Sequence, residues 1–207
     1  MKPHLRNGTS FSGMTIGLLG GSFNPAHDGH RAMSLYALKQ LGLDQIWWLV
    51  SPQNPLKTTK NMAALDRRIG RAKDFAAHPR LAVTSIEIDL GTRYTAHTLR
   101  LLTRRFPNTR FVWLMGADNL QQIQRWKDWQ EIFRLVPVAV FRRPSYPAGQ
   151  GLGCAAIRFN QAWNPAPQAK KVARTPQNLL PAWVILDNKL NYTSATKIRK
   201  DTPSWQN

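Results

Sequence analysis

Only one of the 207 residues is a cysteine, Cys154, which excludes an internal disulfide and any multi-cysteine metal centre. Acidic residues are also scarce, 11 Asp and Glu against 29 Lys and Arg, leaving a formal charge of +18. No apolar run approaches the length of a membrane span, so no membrane partner is expected. The first fourteen residues, MKPHLRNGTSFSGM, contain no apolar h-region, which argues against a secretory signal. The expectation is a cytoplasmic chain with a flexible tail over residues 1–14, in which Met14 is an alternative start. Neither GxxxxGK(S/T) nor HExxH occurs, so a P-loop and a zincin-type zinc site are both excluded.

What is present begins with that charge. It implies an anionic partner, either nucleic acid or a phosphate-rich small substrate, or else basic residues spread over solvated faces. Strand-like runs fall at Thr15–Leu19, Ile46–Val50, Leu81–Ile88, Phe111–Met115, Val138–Phe141 and Trp183–Leu186. Helical periods lie between them, with Met33, Tyr36, Ala37 and Leu41 on one face. Met62, Leu65, Ile69 and Ala72 share a second, and Leu99, Leu102 and Phe106 a third. This alternation predicts an α/β fold of βαβ units around a mostly parallel, doubly wound sheet with helices on both faces. Length favours a single domain over residues 15–207. It is interrupted at about 142–182 by a basic segment rich in Pro, Gly, Gln and Asn, with helix expected near Cys154–Trp163.

The run GGSFNPAHDGH, residues 20–30, follows the first strand, where ligands sit in such sheets. Gly20 and Gly21 allow backbone amides to approach a phosphate, and a helix beginning near Gly29 offers its N-terminus to an anion. His27 and His30, three apart on its first turn, point to one site and can donate hydrogen bonds to phosphoryl oxygens. A zinc pair would need further ligands that the chain lacks. GLGCAA, residues 151–156, fits GxGxxA but follows a Pro-rich loop instead of a strand, and no acidic residue lies about twenty positions on.

These residues carry a resemblance. GSFNPAHDGH resembles the (T/S)FxPxHxGH signature of the HxGH nucleotidyltransferases. Thr193-Ser194-Ala195-Thr196-Lys197-Ile198-Arg199 resembles their second signature, (I/S)SxTxxR, with threonine before the serine where isoleucine is common. Pro55 and Lys57 in SPQNPLKTTK stand where the family keeps a lysine near the phosphates. RYTAHTL matches the xYTxxTL of bacterial nicotinate-nucleotide adenylyltransferases at Tyr94, Thr95, Thr98 and Leu99. MGADNLQQIQRWKDW matches their GADxxxxxxxW at Gly116, Ala117, Asp118 and Trp126. The resemblance covers roughly residues 15–142 and 183–200.

It implies a Rossmann-like fold and transfer of the adenylyl group of ATP to nicotinate mononucleotide, giving deamido-NAD and pyrophosphate. The implied catalytic set is His30, His27, Lys57 and Arg199. ATP and its phosphates would be held by Gly20, Gly21, Ser22, Phe23, His27, His30, Gly116, Asp118, Ser194, Thr196 and Arg199. Thr95, Trp126 and Lys127 would meet the nicotinate nucleotide, and Mg2+ is expected with ATP. Plainer readings stand beside these. Thr95, Asp118 and Ser194 also suit helix caps, Trp126 and Trp129 suit a core, and Lys127 is either a carboxylate partner or a solvated charge. Two rival functions remain: a nicotinamide-preferring enzyme of the same superfamily, and a basic nucleic-acid-binding module favoured by the charge and eight tryptophans. Nothing in the pattern specifies an oligomeric state.

Overall fold

Gln45–Val50, QIWWLV, is apolar at nearly every position, as a strand covered on both faces must be. Its two tryptophans are fully buried and serve opposite layers. Trp47 packs with Leu99, Leu102 and Phe106 below the sheet, and Trp48 with Ala37, Leu38 and Leu41 above it. The computed structural model describes residues 11–52, 62–142 and 153–187.

The strands are β1 Thr15–Gly21, β2 Gln45–Val50, β3 Leu81–Thr84, β4 Arg110–Gly116, β5 Val138–Arg142, β6 Trp163–Asn164 and β7 Trp183–Asp187. Among the described residues they form one sheet of order β3-β2-β1-β4-β5-β7-β6, with every pairing parallel. The helices are α1 Asp28–Leu41, α2 Leu65–Phe75, α3 Ile86–Asp89, α4 Thr95–Arg105, α5 Ala117–Gln122, α6 Trp129–Leu135, α7 Gly153–Arg158 and α8 Ala169–Ala173. Buried residues of α1, α2 and α8 cover one face of the sheet, and those of α4, α5, α6 and α7 cover the other. This is the expected doubly wound α/β arrangement. Strand order reverses between β1 and β4, which opens a crevice at their carboxyl ends.

Three local expectations need correction, and one is borne out. The third strand stops at Thr84, because the Thr84 hydroxyl accepts from the Ile86 amide at 3.0 Å and turns the chain into α3. Residues 11–14, assigned to the tail, are anchored. The ring of Phe11 meets Trp47 and Phe106 edge-on at 5.0 and 5.9 Å, and its carbonyl accepts from Thr109 Oγ1 at 2.8 Å. The helix expected near Cys154–Trp163 is present as α7, and the described part of the basic segment is packed structure. Ala155 is buried in α7, Phe159 stacks on Phe133 at 4.6 Å, and Ala169, Val172 and Ala173 of α8 are buried against the upper layer.

The third correction concerns Gly20 and Gly21, which close β1 instead of opening the loop after it, paired with Leu49 and Val50. A Cβ on Gly20 would lie 2.4 Å from the Trp113 ring, so packing against that indole already demands glycine there. Gly20→Ala should therefore lower unfolding stability by about 1–3 kcal/mol as the ring is displaced, measurable by denaturant titration. A change under about 0.5 kcal/mol would count against this packing account.

Candidate active site

The loop leaving β1 enters α1 through His27. Its side chain is buried, and its Nδ1 accepts from the Gly29 amide at 3.1 Å as the helix N-cap. His30, one turn on, accepts from the His27 amide through its own Nδ1 at 3.3 Å. The two imidazoles thus form a reciprocal capping box, usually built from Ser or Thr with Glu or Gln. The capping sets their chemistry. An Nδ1 that accepts a hydrogen bond holds no proton, so each ring keeps its proton on Nε2 and presents that edge as a donor. The rings lie 3.9 Å apart, which brings both donors to the same helix start, beside the positive end of the helix dipole.

Phe23 fixes the approach to this pair. Its φ of 45° is left-handed, unusual for a bulky residue, yet its ring is buried. It stacks on Trp48 at 5.1 Å and touches the His30 ring at 4.8 Å. Trp48 is held in turn by its Nε1–H donating to Ser34 Oγ at 2.8 Å, and Ser34 Oγ donates to the His30 carbonyl at 2.8 Å.

Across the crevice, β4 ends at Gly116, which is the N-cap residue of α5; Asp118 sits inside the first turn of that helix. The capping alternative for Asp118 is therefore not the observed one. Thr95 is likewise the first residue of α4, with Tyr94 as its N-cap residue and no side-chain capping bond. The structure brings that helix start beside the turn carrying Trp126 and Lys127. Lys127 Nζ lies 5.0 Å over the Tyr94 ring, and His97 Nε2 is 3.6 Å from Asp128 Oδ2. Trp126 is half-buried and meets Trp113 edge-on at 6.4 Å. Because Trp113 also covers Gly20, one indole connects the end of β1 to Trp126. Trp129 packs edge-on against Phe133 and Phe159, as its core reading requires. Lys57, Ser194, Thr196 and Arg199 lie outside the described residues, as do Gly151 and Leu152, the first two residues of GLGCAA; the other four open α7.

Three residues that sequence reasoning passed over complete the surroundings. Arg68, on the inner face of α2, is buried to 1% exposure and has no carboxylate partner among the described residues. Its guanidinium donates to the carbonyls of Ala63, Ser22, Ser51 and Pro52 at 2.7–3.0 Å. Burial lowers its pKa. Each carbonyl left unpaired by its loss would cost about 1–3 kcal/mol. Glu87, in the first turn of α3, is also buried, and desolvation raises its carboxyl pKa against hydrogen bonds from the Thr98 and Ser51 side chains. The signal for Arg68 was a lone cation among Leu65, Ile69 and Ala72 on an apolar helix face. Glu87 and Ser51 carried no comparable signal.

Comparison with known proteins adds to this geometry. The cytidylyltransferase-like family model matches residues 18–201. Over 188 residues the chain is 49% identical to a protein of Parvibaculum lavamentivorans named as a probable nicotinate-nucleotide adenylyltransferase, covering 91% of this chain and 92% of that one. A protein of the same name from a Ruegeria species is 48% identical, covering 90% of this chain and 97% of its own. Among solved structures, the Plasmodium falciparum nicotinic acid mononucleotide adenylyltransferase complexed with NaAD aligns with a TM-score of 0.64 at 15% identity. That alignment covers 89% of this chain and 82% of the other. The same enzyme complexed with APC gives a TM-score of 0.65 at 14% identity, over 90% and 83% of the two chains. At such identities the solved structures support the fold.

Proposed function

The chain belongs to the nicotinate-nucleotide adenylyltransferase family, and on that premise we infer that it joins nicotinate mononucleotide to the adenylyl group of ATP. A phosphate oxygen of the mononucleotide attacks the α-phosphorus of ATP in line. The bond from that phosphorus to the bridging oxygen of the β-phosphate breaks, pyrophosphate leaves with the electron pair, and deamido-NAD is the product. No covalent enzyme intermediate is required, so the protein's contribution is positioning and charge stabilisation. The observation that supports this reading is the imidazole pair that caps the start of α1, a helix N-terminus that favours an incoming phosphate.

Within it, His30 donates to the α-phosphate as charge builds, and His27 supports the neighbouring phosphate. Gly20, Gly21, Ser22 and Phe23 supply backbone to the triphosphate side, with Gly116 and Asp118 on the opposite wall. Lys57, Ser194, Thr196 and Arg199 are proposed from their sequence motifs to neutralise the triphosphate and the departing pyrophosphate. Thr95 and Trp126 face the nicotinate nucleotide. Lys127 extends over Tyr94, which favours the reading of a charge held beside the pyridine pocket. Magnesium enters as part of the ATP substrate. Among the described residues no group of three or more His, Cys, Asp or Glu stands together to hold a metal. Among the same residues, no helix is long and apolar enough to cross a membrane.

Steady-state assays with ATP and either mononucleotide test the assignment. The expected result is pyrophosphate release with a higher kcat/KM for nicotinate mononucleotide. Preference for the nicotinamide compound would overturn the substrate and leave the reaction type. No release with either, alongside submicromolar nucleic-acid binding at physiological salt, would overturn the enzyme.

A further inference from the structure

We propose that Ser51, Glu87 and Thr98 are positioning residues that fix the spacing between the two halves of the substrate crevice. This rests on the adenylyl-transfer reading for its purpose, though not for its geometry.

Ser51 directly follows β2, and each of its polar groups runs to a different part of the site. Its amide donates to the Gly21 carbonyl at 2.9 Å, at the end of β1. Its carbonyl accepts from Arg68 Nη1 at 2.7 Å, and the same nitrogen donates to the Ser22 carbonyl at 2.7 Å in the loop leading to the histidines. Its hydroxyl hydrogen-bonds the buried Glu87 carboxylate, which also accepts from Thr98 Oγ1 at 3.1 Å. Thr98 lies one turn inside α4, and its Oγ1 stands 2.9 Å from Thr92 Oγ1 and 3.2 Å from the Tyr94 carbonyl. The Glu87 carbonyl accepts the Thr92 amide at 2.8 Å, so both ends of that residue hold the entry into α4.

Followed across, these bonds form one continuous route, buried at Arg68, Glu87 and Thr98, from the phosphate side to the mononucleotide side. It starts at Ser22, passes through Arg68, Ser51, Glu87 and Thr98, and ends at Tyr94–Thr95. Two reactants bound on separate elements react only when those elements keep their spacing, and a displacement near 1 Å can cost on the order of 10²-fold in rate. Buried, fully paired polar groups suit that task because their directional bonds permit one arrangement, whereas apolar packing tolerates sliding. None of the three residues needs to touch a substrate. Removing a link should therefore spare the binding of each substrate and impair their alignment.

The test uses Ser51→Ala and Thr98→Val, which delete single hydroxyls at nearly constant shape, with Thr98→Ser as the conservative control. Turnover at saturating substrates should fall on the order of 10- to 10²-fold in the first two, with each KM within about threefold and recovery in Thr98→Ser. Unchanged kcat, or a loss confined to KM, would overturn the proposal. Amide hydrogen exchange supplies an arm independent of activity. In Thr98→Val, lost protection should spread beyond residues 92–98 to residues 20–23 and Ser51, while α8 stays protected. A loss confined to 92–98 would show that the bonds do not couple the two sides. If the wild-type protein lacked transferase activity, the exchange arm would still decide this proposal.

Discussion

His30→Ala should lower turnover on the order of 10²- to 10⁴-fold while the protein remains folded, because it removes a donor aimed at charge that develops only during transfer. The capping geometry makes the expectation specific. His30 accepts the His27 amide through Nδ1, so its Nε2 carries the proton and the ring cannot turn to offer the other nitrogen without releasing the cap. The substitution also opens half of the capping box, which costs about 0.5–2 kcal/mol of stability. That loss is separable from the catalytic one. It appears as a lower denaturation midpoint, whereas lost transition-state stabilisation appears in kcat with the folded population intact. A folded variant with near-normal turnover and only the stability loss would reduce His30 to a cap.

That pair shows how far the sequence could be read. Two histidines three apart after a Gly-rich strand end were enough to mark a phosphate site, because the chemistry of the residues names the ligand. Their mutual capping was not legible, since imidazole is an uncommon cap and its preferred partner depends on side-chain torsions. The doubly wound sheet was legible from alternating periods, as strands covered on both faces keep long apolar runs such as QIWWLV. The error at Leu81–Ile88 has the same physical root as the successes. Ile86 and Ile88 continue an alternating pattern, but the bond from the Ile86 amide to the Thr84 hydroxyl turns the chain, leaving Ile88 half exposed. Arg68 and Glu87 were missed because burial of a charged group is decided by partners distant in sequence. Those of Arg68 lie on two loops separated by almost thirty residues, Ser22 and Ser51.

Trp126→Ala carries the second large effect, and it should fall on one substrate. The KM for nicotinate mononucleotide should rise by the equivalent of about 1–3 kcal/mol, the range for a lost aromatic stacking contact, while that for ATP changes little. The structure supports a division of labour for this residue. One edge of the indole meets Trp113, which is buried and wedged over Gly20, so Trp126 is held from within while staying partly exposed. The neighbouring Lys127 lies over the Tyr94 ring at the start of α4, so Trp126 belongs to the turn that meets that helix start. The contact should also discriminate between substrates. Nicotinate differs from nicotinamide by a carboxylate in place of an amide, and N–H donors near the ring favour the anion while leaving a carboxamide poorly paired. On the proposed reading Trp126 would hold the ring against such donors, so its loss should narrow the preference for the nicotinate compound as well as weaken binding. Measured in one series, Trp126→Phe should retain most of the affinity and Trp126→Ala should lose it. Equal KM increases for ATP and mononucleotide, or an unchanged preference between the two mononucleotides, would instead make Trp126 a packing residue whose removal loosens Trp113 and the end of β1.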